Sequence, residues 1–174
     1  PDSRSVAFYA DGKLWAVEIS QRSSRRLIAA EVRGYGADWG SDGSIIFSRP
    51  SGGTHLMRIP PAGGPPEPLT SIDPTSPEKA HIFPRFLPDG QRYLYVGVVF
   101  DPNSEVRIGH LYAGRIGSNE RTLIGNMLSK VWYVEPGWLV YVEDATVKAV
   151  PFDPDSLKIT GESTTVADGA YYFR

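Results

Sequence analysis

One pattern recurs along this chain and constrains it more than any other feature. An acidic or glycine-containing tight turn is followed by a short apolar run that carries an aromatic. The segments are Asp2-Ser3-Arg4-Ser5-Val6-Ala7-Phe8, Asp42-Gly43-Ser44-Ile45-Ile46-Phe47, Asp89-Gly90-Gln91-Arg92-Tyr93-Leu94-Tyr95 and Pro136-Gly137-Trp138-Leu139-Val140-Tyr141. Their starts lie 40, 47 and 47 residues apart. Repeats of that size cannot bury an apolar face alone, so they must stack.

The second repeat shows the parts of the unit. Gly34 to Gly40 reads as a first, inner strand, and Ser41-Asp42-Gly43 as a hairpin turn in which Gly supplies a positive φ. Ser44 to Ser48 and His55 to Ile59 read as the next two strands. Pro61 to Pro66 turns the chain before a short outer strand, Glu67 to Thr70, whose prolines suit an edge. In the first repeat Asp11-Gly12 joins Ser5–Ala10 to Lys13–Ile19, and the inner strand is missing. In the third, Tyr93–Phe100 and Arg107–Ile116 flank a loop; in the fourth, Trp138–Val142 and Thr146–Pro151 flank Glu143-Asp144. No window carries a capped i, i+3, i+4, i+7 apolar stripe. With 18 Gly and 15 Pro the composition also speaks against a helical bundle.

The expected fold is therefore all-β: a β-propeller of about four four-stranded antiparallel blades, since a period of ~40–45 residues is one blade's length. The approximate repeats are 1–33, 34–79, 80–127 and 128–174 of one domain. Residues 170–174 are placed to complete the first blade and close a ring, which would remove two edges. The alternative is an open arc of a larger propeller, completed by further blades or by a second copy.

A net charge of −2 gives no broad basic surface, so neither nucleic acid nor membrane insertion is expected. Cysteine is absent, which removes disulfides and thiol chemistry. No run approaches the ~20 apolar residues of a spanning helix. The opening Pro-Asp-Ser carries no signal-peptide pattern, and the chain reads as a piece of a longer protein. There is no Gly-x-Ser-x-Gly, His-Glu-x-x-His, Walker or EF-hand signature. No catalytic residue, metal site or cofactor is assigned.

The turns carry a resemblance. Pro1-Asp2-Ser3-Arg4-Ser5-Val6-Ala7-Phe8 and Leu87-Pro88-Asp89-Gly90 resemble the PD40, or TolB-like, variant of the WD40 repeat. Ala10-Asp11-Gly12-Lys13-Leu14-Trp15, Phe83 to Gly90, and Pro151-Phe152-Asp153-Pro154 with Leu157 and Thr160-Gly161-Glu162 are similar to a bacterial subgroup. There the propeller lies C-terminal to a Ser/Thr protein kinase and a membrane span, notably in Acidobacteria-like genomes. Gly40-Ser41 departs from the usual Ser-Pro, and Pro136-Gly137 from Asp-Gly. The resemblance implies an extracytoplasmic (periplasmic) recognition or sensor module.

The leading functional reading is a non-catalytic module that binds a protein, peptide or small ligand on its loop face. The candidate residues are Arg33, Tyr35, Arg49, His81, Arg85, Lys130, Trp132 and Tyr171. The basic ones suit an anion or carboxylate, and the aromatics offer stacking surfaces. The alternatives are part of a hydrolase or lyase, and a self-assembling structural arc. His55, His81 and His110 read as hydrogen-bonded rather than metal-bound. The acidic loops 101–105 and 153–156 could hold Ca²⁺, but such Asp and Asn usually bond their own backbone. Trp15, Trp39 and Trp138 are expected in sheet-to-sheet packing.

Overall fold

The computed structural model describes residues 4–20, 25–29, 32, 35–49, 55–100 and 107–170. Among them every regular element is a strand. The first sheet holds β1 (Ser5–Ala10), β2 (Lys13–Glu18) and β3 (Arg25–Ala29). The second holds β4 (Ala37–Trp39), β5 (Ile45–Arg49), β6 (His55–Ile59) and β7 (Glu67–Pro68). The third holds β8 (Glu78–Phe86), β9 (Arg92–Phe100), β10 (Arg107–Arg115) and β11 (Arg121–Asn126). In the fourth, β12 (Trp132–Val134), β13 (Trp138–Glu143) and β14 (Thr146–Asp153) run in order. The far edge of β14 is shared by β15 (Lys158–Ile159) and β16 (Thr164–Asp168). Each sheet is a run of consecutive antiparallel strands, as the turn spacing predicts.

The hairpin turns have the twist that two-residue loops need. Asp11 and Gly12 both take positive φ, 53° and 69°, between β1 and β2. The expected inner strand Gly34–Gly40 is shorter in the structure. Gly36 has a φ of 101°, which breaks the extended run, and β4 begins at Ala37. Other expected bounds differ from the observed ones by a residue or two. The missing inner strand of the first repeat is matched by a three-stranded first sheet.

The sheets stack face to face in chain order. Leu14, Ala29 and Val32 meet Ile45, Phe47, Met57 and Ile59 between the first and second sheets. Ile46 and Leu56 meet Tyr93 and Tyr95 between the second and third. Leu94, Val96, Val98 and Leu111 meet Leu139, Tyr141, Val150 and Phe152 between the third and fourth. A sheet covered on both faces needs strands apolar at consecutive positions. This is why Ile45-Ile46-Phe47 and Tyr93 to Val98 are buried throughout. Alternate residues serve opposite junctions.

Among the described residues, none packs as a further sheet on the outward faces of the two end sheets, which carry exposed apolar side chains. Val6 and Leu27 are exposed on the first sheet, Val134 and Trp138 on the fourth. The expected packing role for tryptophan is corrected here. Only Trp39 packs in a junction. Trp138 is 38% exposed, and Trp15 lies under Arg25, whose guanidinium is 4.4 Å from the ring centroid. Both stand on faces against which no described sheet packs.

Candidate functional site

The first strands of the second and third sheets and the segment leading into the fourth bring one set of charges together. Asp38, in the middle of β4, bridges to the third sheet. Its Oδ2 accepts the Phe86 N–H at 2.7 Å and its Oδ1 accepts from the Arg85 guanidinium at 3.1 Å. A bulge between Ile82 and Arg85 interrupts β8 just before this contact. Within the bulge Phe83 has a φ of 56°, and its N–H donates to Tyr35 O at 2.8 Å. The two backbones are so close that a Cβ on Gly36 would stand 3.0 Å from Phe83 Cα. Gly36 is thus required twice, by its conformation and by that approach.

Lys130 joins from the segment before β12. Burial and the nearby Arg85 guanidinium push its ammonium below the usual lysine range, with Asp38 opposing. Its Nζ lies 5.2 Å from the Trp132 ring centroid. Two cations and an aromatic face are gathered around one carboxylate, itself already committed to Phe86 and Arg85. A cavity of about 350 Å³ between the first and second sheets reaches Asp38 and Trp39. That is within the ~300–1,000 Å³ range of small-molecule sites.

Of the residues singled out from sequence, Arg85, Lys130 and Trp132 meet in this set, and Tyr35 supports it through its carbonyl. Arg49 ends β5 opposite His55. Arg33 and Tyr171 lie outside the described residues. His81 is not on an open loop face: it is 1% exposed, inside the junction between the second and third sheets.

His81 belongs instead to a buried polar cluster that sequence reasoning missed. Glu78, the first residue of β8, is 4% exposed. Its Oε2 lies 3.2 Å from His81 Nε2 and accepts from Arg121 Nη1 at 2.7 Å. His81 Nδ1 is 2.8 Å from Thr70 Oγ1, which also accepts the Leu56 N–H at 3.0 Å. A proton on His81 Nε2 donates to the Glu78 carboxylate. Burial works to raise the Glu78 carboxyl. The hydrogen bonds from His81 and Arg121, with their charges, outweigh it and hold the group below the usual glutamate range. The Arg121 guanidinium also lies 4.1 Å from the Tyr112 ring centroid. Tyr95, edge-on to His81 with centroids 4.8 Å apart, is pushed up to about 12 by burial, Arg121 opposing. Glycines make room on this face of the third sheet: a Cβ on Gly97 would meet Glu78 Oε1 at 1.9 Å, and one on Gly114 would meet Tyr93 Cζ at 2.6 Å.

Beside this cluster opens a cavity of about 390 Å³, between the segment leaving β7 and the third sheet. Elsewhere, Asp153 accepts from its own turn, from Asp155 N–H at 2.9 Å and Ser156 Oγ at 2.6 Å, as expected for such a loop. The 101–105 loop lies outside the described residues. Among the described residues no three His, Asp or Glu side chains converge to hold a metal ion.

The sequence matches no protein-family model and no curated protein.

Proposed function

We propose that the chain is a non-catalytic recognition module of the PD40 propeller type. Its four sheets are the blades, and its ligand is a carboxylate-bearing molecule, an acidic peptide or a small organic acid. The observation that carries this reading is the convergence of Asp38 and Arg85, from the first strands of the second and third sheets, with Lys130 and Trp132 at the start of the fourth. Arg85 and Lys130 hold more positive charge than Asp38 neutralises, and bringing in a carboxylate relieves their repulsion. Trp132 adds a flat apolar surface next to the charge. The resemblance of the turns to kinase-linked propellers supports a position outside the cytoplasmic membrane, where ligand capture would be signalled to an attached kinase.

Calorimetric titration with glutarate and with an acidic tetrapeptide tests the reading. Saturable binding is expected, weakened about tenfold by Lys130→Gln, the size of one charge-assisted hydrogen bond. Trp132→Ala should weaken it less. No saturable binding of either probe, or equal binding by wild type and Lys130→Gln, would overturn it.

A self-assembling role is the second reading, favoured by the apolar outward faces with Val6, Leu27, Val134 and Trp138 exposed. Light scattering across a concentration series separates the two. Growth of the particle that Trp138→Glu abolishes supports assembly, and a constant monomer mass removes it.

A further inference from the structure

The cavity between the second and third sheets has a chemistry opposite to that of the Arg85–Lys130 face. Its lining includes three carboxylates, Asp73, Glu78 and Glu120, against one guanidinium, Arg121. The rings of Tyr93 and Tyr95 also line it. Glu78 is the informative member. It is 4% exposed, and its Oε1 has no hydrogen-bond partner. That oxygen sits over Gly97, on the face of the third sheet that also carries Tyr93 and Tyr95. A buried carboxylate oxygen without a donor is costly and calls for an explanation.

We propose that this cavity is a binding site for an organic cation, an alkylammonium group that donates to Glu78 and packs its carbon chain against Tyr93 and Tyr95. The molecule already contains the recognition on a neighbouring position. Arg121 donates to Glu78 Oε2 at 2.7 Å and stacks on Tyr112 at 4.1 Å, so carboxylate and tyrosine together hold an organic cation here. The other carboxylate oxygen lacks a donor, and the other two tyrosines line the same cavity as Glu78. Anions are disfavoured by the three carboxylates. Bare metal ions are disfavoured because those carboxylates do not converge. The exposed turn 117–120 forms the rim, which leaves a route of entry. The ammonium can come from a free diamine or from a lysine side chain, and the two share this chemistry.

The test uses the whole chain, isotopically labelled, titrated with cadaverine and followed by amide chemical shifts. The neutral control is 1,5-pentanediol, of the same length. Saturable shifts are expected at Thr70, Tyr95 and Arg121, with the diol about tenfold weaker or more, because a charged hydrogen bond and a cation–π contact are lost. Glu78→Gln should weaken cadaverine by a similar factor. Should that variant fail to fold, Glu120→Gln on the exposed rim replaces it, with a loss of about threefold from one screened charge. Nα-acetyl-lysine methylamide distinguishes the sources. Binding tighter than cadaverine assigns a peptide side chain, and weaker binding assigns a free amine. Equal binding of the diol, shifts confined to residues away from the cavity, or amine binding unchanged in the carboxamide variants would overturn the proposal.

Discussion

Gly97→Ala is the sharpest single test of the polar junction. Gly97 lies within β9, opposite His81 on one side and His110 on the other. It is not among the glycines with positive φ, so alanine fits the backbone. On strand propensity alone the change should stabilise by about 0.5–1 kcal/mol. The neighbours reverse that sign. The new methyl would stand 1.9 Å from Glu78 Oε1, 2.9 Å from Glu78 Cδ and 2.9 Å from Tyr112 Cε2. The carboxylate must move, and in moving it leaves Arg121 and His81. Removing one partner of a buried pair costs about 3–5 kcal/mol. Displacement leaves a weakened pair behind, so a net loss of about 2–4 kcal/mol is expected. At ~2–4 °C per kcal/mol for a chain this size, the midpoint should fall by roughly 4–16 °C. Urea unfolding of Gly97→Ala, Glu78→Ala and the double variant closes a thermodynamic cycle. With Glu78 truncated, the two nearest of the three closest atoms are gone and the movable Tyr112 ring edge remains, so the second substitution should change stability by less than about 1 kcal/mol. The coupling should then be about 2–3 kcal/mol. A Gly97→Ala loss below about 1 kcal/mol, or the same loss in both backgrounds, would refute the argument that Glu78 requires this glycine.

Asp38→Ala should cost about 2–3 kcal/mol in urea, because it strands the Phe86 N–H and the Arg85 guanidinium together; a loss under about 0.5 kcal/mol would contradict the bridge. Alkaline ultraviolet titration should find Tyr9, Tyr93 and Tyr95 among the nine tyrosines still protonated after the exposed ones have ionised, since burial raises all three. For Tyr95 the folded value of about 12 exceeds the ordinary 10.0, so its contribution to stability is intact below pH 10 and is lost as pH rises toward 12; nine tyrosines titrating together at the ordinary value in the folded state would be the contrary result. Glu78 has the opposite sign. Its folded value lies below the ordinary 4.5, so its contribution is present above pH 4.5 and lost as pH falls through the folded value. The stability gap between wild type and Glu78→Gln should therefore narrow in acid, and a gap constant down to about pH 3 would contradict the ion pair.

The strands were legible because their signals are local. Asp11-Gly12 gives the positive φ of a tight hairpin, and Ile45-Ile46-Phe47 is apolar at consecutive positions because both its faces are covered. The buried cluster was not legible, because its members come from separate strands. Arg121 and Glu78 lie 43 residues apart, and Thr70 and His81 lie 11 apart. Strand pairing within the third sheet brings Arg121 to the face that carries Glu78, and stacking on the second sheet brings Thr70 to His81. His81 reads from sequence as the start of an inner strand, near the loops, whereas β8 begins at Glu78 and carries His81 inside the junction. Arg85 and Lys130 were legible as basic residues recurring near one face of the repeats. Asp38, which ties Arg85 to the second sheet, was hidden inside Ala37-Asp38-Trp39 as an ordinary strand residue. Trp15 and Trp138 illustrate another limit. An apolar strand announces two faces to be covered and does not say which of them has a neighbour.

The three separate junctions determine how damage travels. Among the described residues the apolar junctions join each sheet to the next, so stability is close to a sum of sheet terms and nearest-neighbour terms. A lesion is therefore confined by geometry. Truncating Leu14 in the first junction loosens the first sheet's grip on the second, while the third and fourth sheets keep theirs through Leu94, Val96 and Leu139. Amide exchange would quicken in β1, β2 and β3 and stay slow in β9 and β13. Such a stack tolerates gain or loss of a repeat at its ends far better than a substitution inside a junction, since adding a sheet only extends an existing series.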